Sequence, residues 1–257
     1  AVEKFVISRH DSVPTVKNII YNEYNTDPLN LKAVLLLGHI PVPYSGDINP
    51  DGHPNHLGAW PADAYYGECD GFWSDLSVYD TVASRPENKN IIGDGKFDQS
   101  MLPSNVDLEV SRIDFYNMPS FSQSEIELMK NYLLKDHHYK LNQLAITKRG
   151  IVDDNFGVFG GEAFASCGWR NMSPLLGDTN IFNLDFISTL DSINCQWAYG
   201  CGGGWFQGAG GIGSTTNFVN DSVKAIFTML FGSYFGDWDS QDNFLRAPLC
   251  AADPALT

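Results

Sequence analysis

The sequence predicts an α/β fold, specifically a three-layer α/β/α sandwich with a mainly parallel central sheet. Two continuous apolar runs, Ala33–Leu37 and residues 225–230, are typical of strands that are buried on both faces of a parallel sheet. Strand-like segments alternate with helical patterns between these runs. Such alternation implies right-handed crossovers, which place helices on both faces of the sheet.

Capping residues predict where the helices begin. Ser12, followed by Val13-Pro14, predicts a helix that runs to about Tyr24. Ser122 or Ser124 predicts a second helix, which ends near two histidines that complement the helix dipole. The remaining expected elements are strands at 106–113, 144–152 and 196–199, a helix at 161–171, and a last helix capped by Asp242.

Composition and charge restrict the classes of partner. The chain has 257 residues, enough for one large α/β domain, and a formal net charge of -15. This charge argues against nucleic acid or an anionic membrane surface and favours cations such as calcium. No apolar run reaches the roughly 18 residues of a membrane helix, and no signal peptide is visible at Ala1. We expect a segment of a larger extracellular or cell-surface protein.

The five cysteines form neither a CxxC pair nor a zinc-binding pattern. An odd count leaves at least one thiol unpaired within the chain. Cys195 and Cys201 are close enough in sequence to bridge across a turn, and spacing alone leaves open whether they do so.

A long irregular segment, at about 44–104, is predicted to be functional or held by metal. Asp47, Asn49 and Asp51, followed by Gly52, match the opening of an EF-hand-type calcium loop, and Asp94 with Asp98 resembles half of one. An Asx-turn surface loop is the alternative for both. The aromatic residues between Trp60 and Trp73 also suit a glycan-binding surface, because exposed aromatic faces stack on sugars.

Several strings together resemble the gingipain-type family of clan CD cysteine peptidases, in the same order along nearly the whole chain. They are Ala33-Val34-Leu35-Leu36-Leu37-Gly38 before Ile40-Pro41, Pro61-Ala62-Asp63-Ala64-Tyr65-Tyr66-Gly67, Leu108-Glu109-Val110-Ser111-Arg112-Ile113, and the final pair of strands. The resemblance implies one caspase-like domain over 1–257, with an insertion at about 44–104.

In that family a strand ends in a catalytic His followed by Gly, and the next strand ends in the nucleophilic Cys. Tyr199-Gly200-Cys201-Gly202 stands where the His turn belongs, so Cys201 replaces His. Ser233 replaces Cys at the second turn, and no histidine follows His138. A serine without a base is a poor nucleophile, so the resemblance implies a degenerate dyad.

Cys201 has a second interpretation as a relocated nucleophile, with His39 as its base and the amides of Gly202 and Gly203 as an oxyanion hole. The alternative is that Cys201 packs as a small buried residue or forms a disulfide. Asp237 and Asp239, near Ser233, suit an acidic specificity pocket for a basic group.

We therefore expect a catalytically degenerate, peptidase-like domain of a secreted or surface bacterial protein, with a structural or recognition role. Its partners would be other domains of the same protein or a surface assembly. The alternatives are an active thiol hydrolase that uses Cys201, and a calcium-supported module that binds a peptide or a glycan.

Overall fold

The computed structural model describes residues 2–47, 53–157 and 164–251, apart from the side chain of Asn55. The chain divides into two compact units, residues 1–114 and 115–257, each of which is described by itself below. The single domain over 1–257 stays a prediction. Within the described ranges, no helix is both long enough and apolar enough to span a membrane.

The first unit is built around a parallel pair of strands. Its elements are α1 (Val13–Thr26), β1 (Ala33–Leu37), β2 (Tyr44–Ser45), β3 (Trp60–Pro61), α2 (Ala64–Gly67) and β4 (Glu109–Ile113). β1 pairs in parallel with β4, and β2 pairs antiparallel with β3. The carboxyl ends of β1 and β4 therefore lie side by side.

Helix α1 begins as predicted, because the Ser12 hydroxyl accepts a hydrogen bond from the Thr15 amide at 3.2 Å. It continues to Thr26, and Asp27 follows as its C-cap. Val16 and Ile20 are buried in one core cluster with Leu36 of β1. The expected burial of this strand on both faces is wrong: Leu35 and Leu37 are exposed, because successive side chains point to opposite faces and only the face with Leu36 meets the core.

The second unit contains a four-stranded parallel sheet in the order β11-β7-β5-β6. Its elements are α3 (Glu125–Lys140), β5 (Gly150–Asp154), α4 (Ala165–Leu176), β6 (Ile181–Asn183), α5 (Phe186–Ser192), β7 (Cys195–Cys201), β8 (Gly204–Trp205), β9 (Gly208–Ala209), β10 (Gly213–Ser214), α6 (Thr215–Asn220), β11 (Ala225–Phe231) and α7 (Ala247–Cys250). β8, β9 and β10 form a small antiparallel sheet.

Helices cover the two faces of this parallel sheet. Gly168 of α4 lies against the ring of Tyr199, and a Cβ added at Gly200 would contact Phe186 of α5. Because Tyr199 and Gly200 are consecutive in β7, they face opposite sides of the sheet. The second unit is thus a three-layer α/β/α sandwich, and the predicted fold class is confirmed.

Three predicted boundaries in the second unit are wrong. The helix expected at 161–171 continues as α4 to Leu176. The strand expected at 144–152 begins only at Gly150, because residues 145–148 are exposed and have no buried face to pack. The helix expected to begin at Asp242 begins at Ala247. Asp242 instead has a positive φ of 50°, and its Oδ1 accepts a hydrogen bond from the Ser120 amide at 2.9 Å. The carboxylate thus caps a turn rather than a helix.

Candidate functional site

The carboxyl ends of three neighbouring strands in the second unit form the candidate site. In the sheet register Cys201 of β7 lies opposite Asp154 of β5 on one side and Phe231 of β11 on the other. The turns that follow β7 and β11 touch, because a Cβ on Gly204 would fall on the backbone of Ser233. The structure therefore brings together Cys201 and Ser233, the two residues at the positions that the resemblance assigns to the dyad.

Cys201 is fully buried and carries a thiol rather than a disulfide. The bridge to Cys195, which the spacing left open, does not form, since the two residues stand at opposite ends of the extended strand β7, about 20 Å apart at 3.3 Å per residue. Cys201 Sγ donates a hydrogen bond to Asp154 Oδ1 at 3.3 Å. Asp154 Oδ1 also accepts from the amides of Phe156 and Gly157.

The surroundings of Cys201 favour the protonated thiol. Burial, the hydrogen bond to Asp154 and the charge of that carboxylate, in this order, raise the pKa of Cys201 to about 12. The neighbouring acid Asp153 is also buried, and burial raises its pKa although the Phe186 amide donates to it. An activated cysteine needs the opposite environment, one that stabilises the thiolate.

One of the two glycine amides after Cys201 already makes a backbone hydrogen bond. The Gly202 amide donates to the Phe231 carbonyl at 3.2 Å and so continues the pairing of β7 with β11. Gly203 is exposed, and no atom lies within 4 Å of a Cβ built on it. The oxyanion role of the two glycines stays a prediction, for which the Gly203 amide is the better placed donor.

The turn after Ser233 is tightly constrained. Tyr234 has a positive φ of 66°, and its carbonyl accepts from the Asp237 amide at 3.2 Å. Asp237 is 2% exposed, whereas Asp239 is part-exposed. The specificity pocket that combines these two carboxylates stays a prediction.

His39 lies in the first unit, at the turn that ends β1. Its Nδ1 lies 2.8 Å from Asp114 Oδ2, and Asp114, which follows β4, is almost completely buried. Asp114 also lies 3.8 Å from the Arg112 guanidinium, which forms a two-pronged ion pair with Asp63. The contact with Asp114 orients the His39 ring. The role of His39 as a base for Cys201 stays a prediction.

The carboxylates predicted to bind calcium already accept hydrogen bonds. Asp47 Oδ1 accepts from the Ser100 hydroxyl at 2.7 Å, and Asn49 and Asp51 lie outside the described residues. Asp98 accepts from the amides of residues 76–78 and from a serine hydroxyl. Asp94 accepts from the Lys96 amide at 3.0 Å. Among the residues that the structure describes, no group of three His, Cys, Asp or Glu side chains is arranged to hold a metal.

Three aromatic residues of the long segment, Tyr65, Trp73 and Phe97, pack against one another, whereas Phe72 is 75% exposed. Tyr65, which is 7% exposed, stacks on Phe97 with ring centroids 4.4 Å apart and meets Trp73 edge-on. The Trp73 indole donates to Glu68 Oε2 at 2.6 Å. These three rings belong to the core of the first unit and are not free to stack on a glycan, and the glycan-binding role stays a prediction.

The sequence analysis did not identify the carboxylates that contact His39 and Cys201. Asp114 follows β4 and Asp154 ends β5, so each partner is 47 or more positions away from the residue it contacts. The run Asp153-Asp154 at a strand end was visible in the sequence. Its pairing with Cys201 depends on the strand order, which a single sequence does not give.

Comparison with known proteins gives structural relatives only. No protein-family model and no curated protein matches the sequence. Among solved structures, the chain is similar to the complex of the Porphyromonas gingivalis RgpB pro- and mature domains, at a TM-score of 0.54 and 16% identity over 95% of this chain and 51% of that one. It is similar to the Arg-specific cysteine proteinase gingipain R at a TM-score of 0.53 and 16% identity, over 95% of this chain and 50% of that one.

The chain thus spans about half the length of the structures that it matches. The likeness establishes a peptidase-like, caspase-type α/β fold. At this identity it establishes the fold alone, because one fold hosts many activities.

Proposed function

We propose that this chain is a peptidase-like domain of a secreted or cell-surface bacterial protein, and that it has no cysteine-peptidase activity. Its role would be structural or in recognition, with other domains of the same protein or a surface assembly as partners. The observation that carries this proposal is the fully buried Cys201 thiol, which donates a hydrogen bond to Asp154.

The chemistry of Cys201 argues against a nucleophile. A thiol with a pKa of about 12 is ionised in about one molecule in 10⁵ at neutral pH. A thiolate would also stand beside the Asp154 carboxylate, which repels it. Peptidases of this kind need a base that removes the thiol proton, whereas Asp154 retains it.

Ser233 gives no substitute for that nucleophile. A serine hydroxyl needs an adjacent base to attack, and carboxylates alone do not supply one. In the second unit, histidine occurs only at His137 and His138, in the last turn of helix α3. Neither follows a strand, so neither stands at a position that the family uses for its base.

Calcium support of the long segment remains part of the proposal. Asp47, Asn49 and Asp51 are its candidate ligands, together with Asp94 and Asp98. The net charge of -15 supports a cation as a partner. Of these ligands Asp98 is the weakest candidate, because its oxygens already accept four hydrogen bonds.

Thiol alkylation of the native protein tests the proposal, with Cys167 as an internal control because its thiol is exposed. We expect a small alkylating reagent, scored by peptide mass spectrometry between pH 6 and 9, to label Cys167 rapidly. Cys201 should react only after denaturation, and a peptidyl electrophile should not label it at all. The Cys201→Ser variant provides the blank for both measurements.

Faster labelling of Cys201 than of Cys167, with an apparent pKa below the free-thiol value of about 8.5, would contradict the proposal. It would favour the active thiol hydrolase instead. His39→Gln should then slow that labelling if His39 is the base.

A further inference from the structure

A short antiparallel bridge inside the long segment joins Asp80 and Asn90. The Asp80 amide donates to the Asn90 carbonyl at 2.6 Å, and the Asn90 amide donates back to the Asp80 carbonyl at 2.9 Å. Residues that exchange both hydrogen bonds stand directly opposite one another, with their side chains on the same face. The Asp80 carboxylate and the Asn90 amide group therefore point to one side of the bridge.

The orientation of the Asn90 side chain is fixed by two hydrogen bonds. Its Nδ2 donates to the Gly46 carbonyl at 3.0 Å and to the Phe97 carbonyl at 2.9 Å. Rotating the amide by half a turn would direct its oxygen at two carbonyl oxygens, so this orientation is determined. Asn90 is 0% exposed, and no donor in the described part of the chain reaches its Oδ1.

Asp80 presents a second acceptor of the same kind. Its Oδ1 accepts from the Val82 amide at 2.8 Å, while its Oδ2 is buried without a donor from the described residues. Asp80 is 8% exposed, and it forms no ion pair within the ranges that the structure describes. A buried carboxylate needs a compensating positive charge or a full set of donors.

Asp98, in the same segment, shows how this chain satisfies a carboxylate by itself. It receives three backbone amides and one hydroxyl. Asp80 receives one amide, and its second oxygen shares a face with another acceptor that has no donor. Two buried acceptors on one face, neither of which has a donor from the described residues, can be satisfied together by a positive group that lies against both.

We propose that Asp80 Oδ2 and Asn90 Oδ1 are two ligands of a hard cation, with calcium as the chemically fitting ion. Carboxylate and amide oxygens are the side-chain ligands that calcium prefers, and backbone carbonyls and water complete its shell. This site differs from the sequence motifs at 47–51 and 94–98, and no spacing rule marks it, because it depends on the bridge. A cation bound there would hold residues 80–82 against residue 90 and so make the long segment more rigid.

A calcium titration followed by thermal unfolding tests the site. After removal of metal by a chelator, saturating calcium should raise the Tm of the wild-type protein by about 5 °C or more. Asp80→Asn should abolish most of that rise, because the amide supplies no charge. Asp191→Asn, which removes one exposed carboxylate from the second unit, is the matched control and should leave the rise unchanged. Asp94→Asn tests the separate motif at 94–98 and should leave intact the part of the rise that depends on Asp80.

If Asp80→Asn does not fold, amide hydrogen exchange of the wild-type protein with and without calcium tests the site instead. Calcium should slow exchange at the amides of Asp80, Val82 and Asn90 at least tenfold, with no change in β5 or β7. A wild-type protein without a calcium response would overturn the proposal, and so would an Asp80→Asn protein that keeps the full response. Either result would leave a bridging water as the partner of both oxygens. The readouts are independent of Cys201, so this proposal and the proposed lack of activity fail separately.

Discussion

Glu68 in the first unit and Cys201 in the second are both fully buried acidic groups, yet their pKa values shift in opposite directions. Burial works to raise the pKa of Glu68, but hydrogen bonds donated by Ser104, Trp73 and two backbone amides outweigh it and keep the pKa below its usual value. Cys201 faces an acceptor, the Asp154 carboxylate, and burial then raises its pKa without opposition from donors of comparable weight.

The difference shows that burial alone does not decide ionisation. Donors aimed at the acid stabilise its anion, and an acceptor in the same position stabilises its proton. In the first unit the donors come from loop amides that have no partner in a sheet, as the amides of Asp70 and Gly71 illustrate. At the end of β7 the Gly202 amide is already used by the sheet.

The largest effect that we expect comes from Glu68→Gln. The substitution keeps the shape but removes the charge, so four charge-assisted hydrogen bonds weaken and one donor faces the new NH₂ group. We expect the free energy of unfolding to fall by about 3 kcal/mol. Urea unfolding followed by tryptophan fluorescence measures it. Glu109→Gln, on the exposed face of β4, is the matched control, and an equal loss there would refute the role of burial.

A smaller loss, of about 2 kcal/mol near pH 7, is expected for Asp98→Asn. Hydrogen bonds hold the pKa of Asp98 well below its usual value, although burial opposes them. Its stabilising contribution is therefore present above the unfolded pKa of about 3.9 and is lost as pH falls through the folded pKa. Urea midpoints at pH 7, 5 and 3 should converge for wild-type and variant protein towards acid. Parallel profiles would count against this assignment.

The smallest effect is expected for Asp153→Asn, within about 1 kcal/mol at pH 7. Burial raises the pKa of Asp153, so its ionisation destabilises the fold as pH rises from the unfolded value of about 3.9 through the folded one. The variant should lack this decline, and its stability relative to wild type should improve between pH 3 and pH 7. Urea midpoints across that range measure it, and a relative loss towards neutral pH would reverse the sign that we assign.

Much of the fold was predictable because local chemistry marks it. Ser12 and Ser124 cap α1 and α3, the latter with a full capping box to Glu127. The strands β1 and β11 read as apolar runs, and both were placed within one residue, although neither is buried on both faces. Helix α5 and strand β6 were not predicted, because each is short and depends on contacts with β5 for its stability.

For the candidate site, the sequence predicted which residues end the two strands, but it did not predict which side chain contacts the Cys201 thiol. That Cys201 and Ser233 end neighbouring strands followed from the resemblance, and the register places them so. The partner of Cys201 is set by strand order, in which β5 lies beside β7. The Asp80–Asn90 bridge is likewise a tertiary feature, since nine residues separate its two members along the chain and no sequence pattern marks their pairing.

Space around Cys201 limits how this domain can change. A thiol fills the position completely, with 0% exposure, and the adjoining turns are locked together where Gly204 meets Ser233. An imidazole at position 201 is several atoms larger and would force the packed neighbours apart. A histidine–cysteine pair at these positions therefore requires compensating changes in the surrounding core, and we expect single substitutions towards it to lower the stability of the fold.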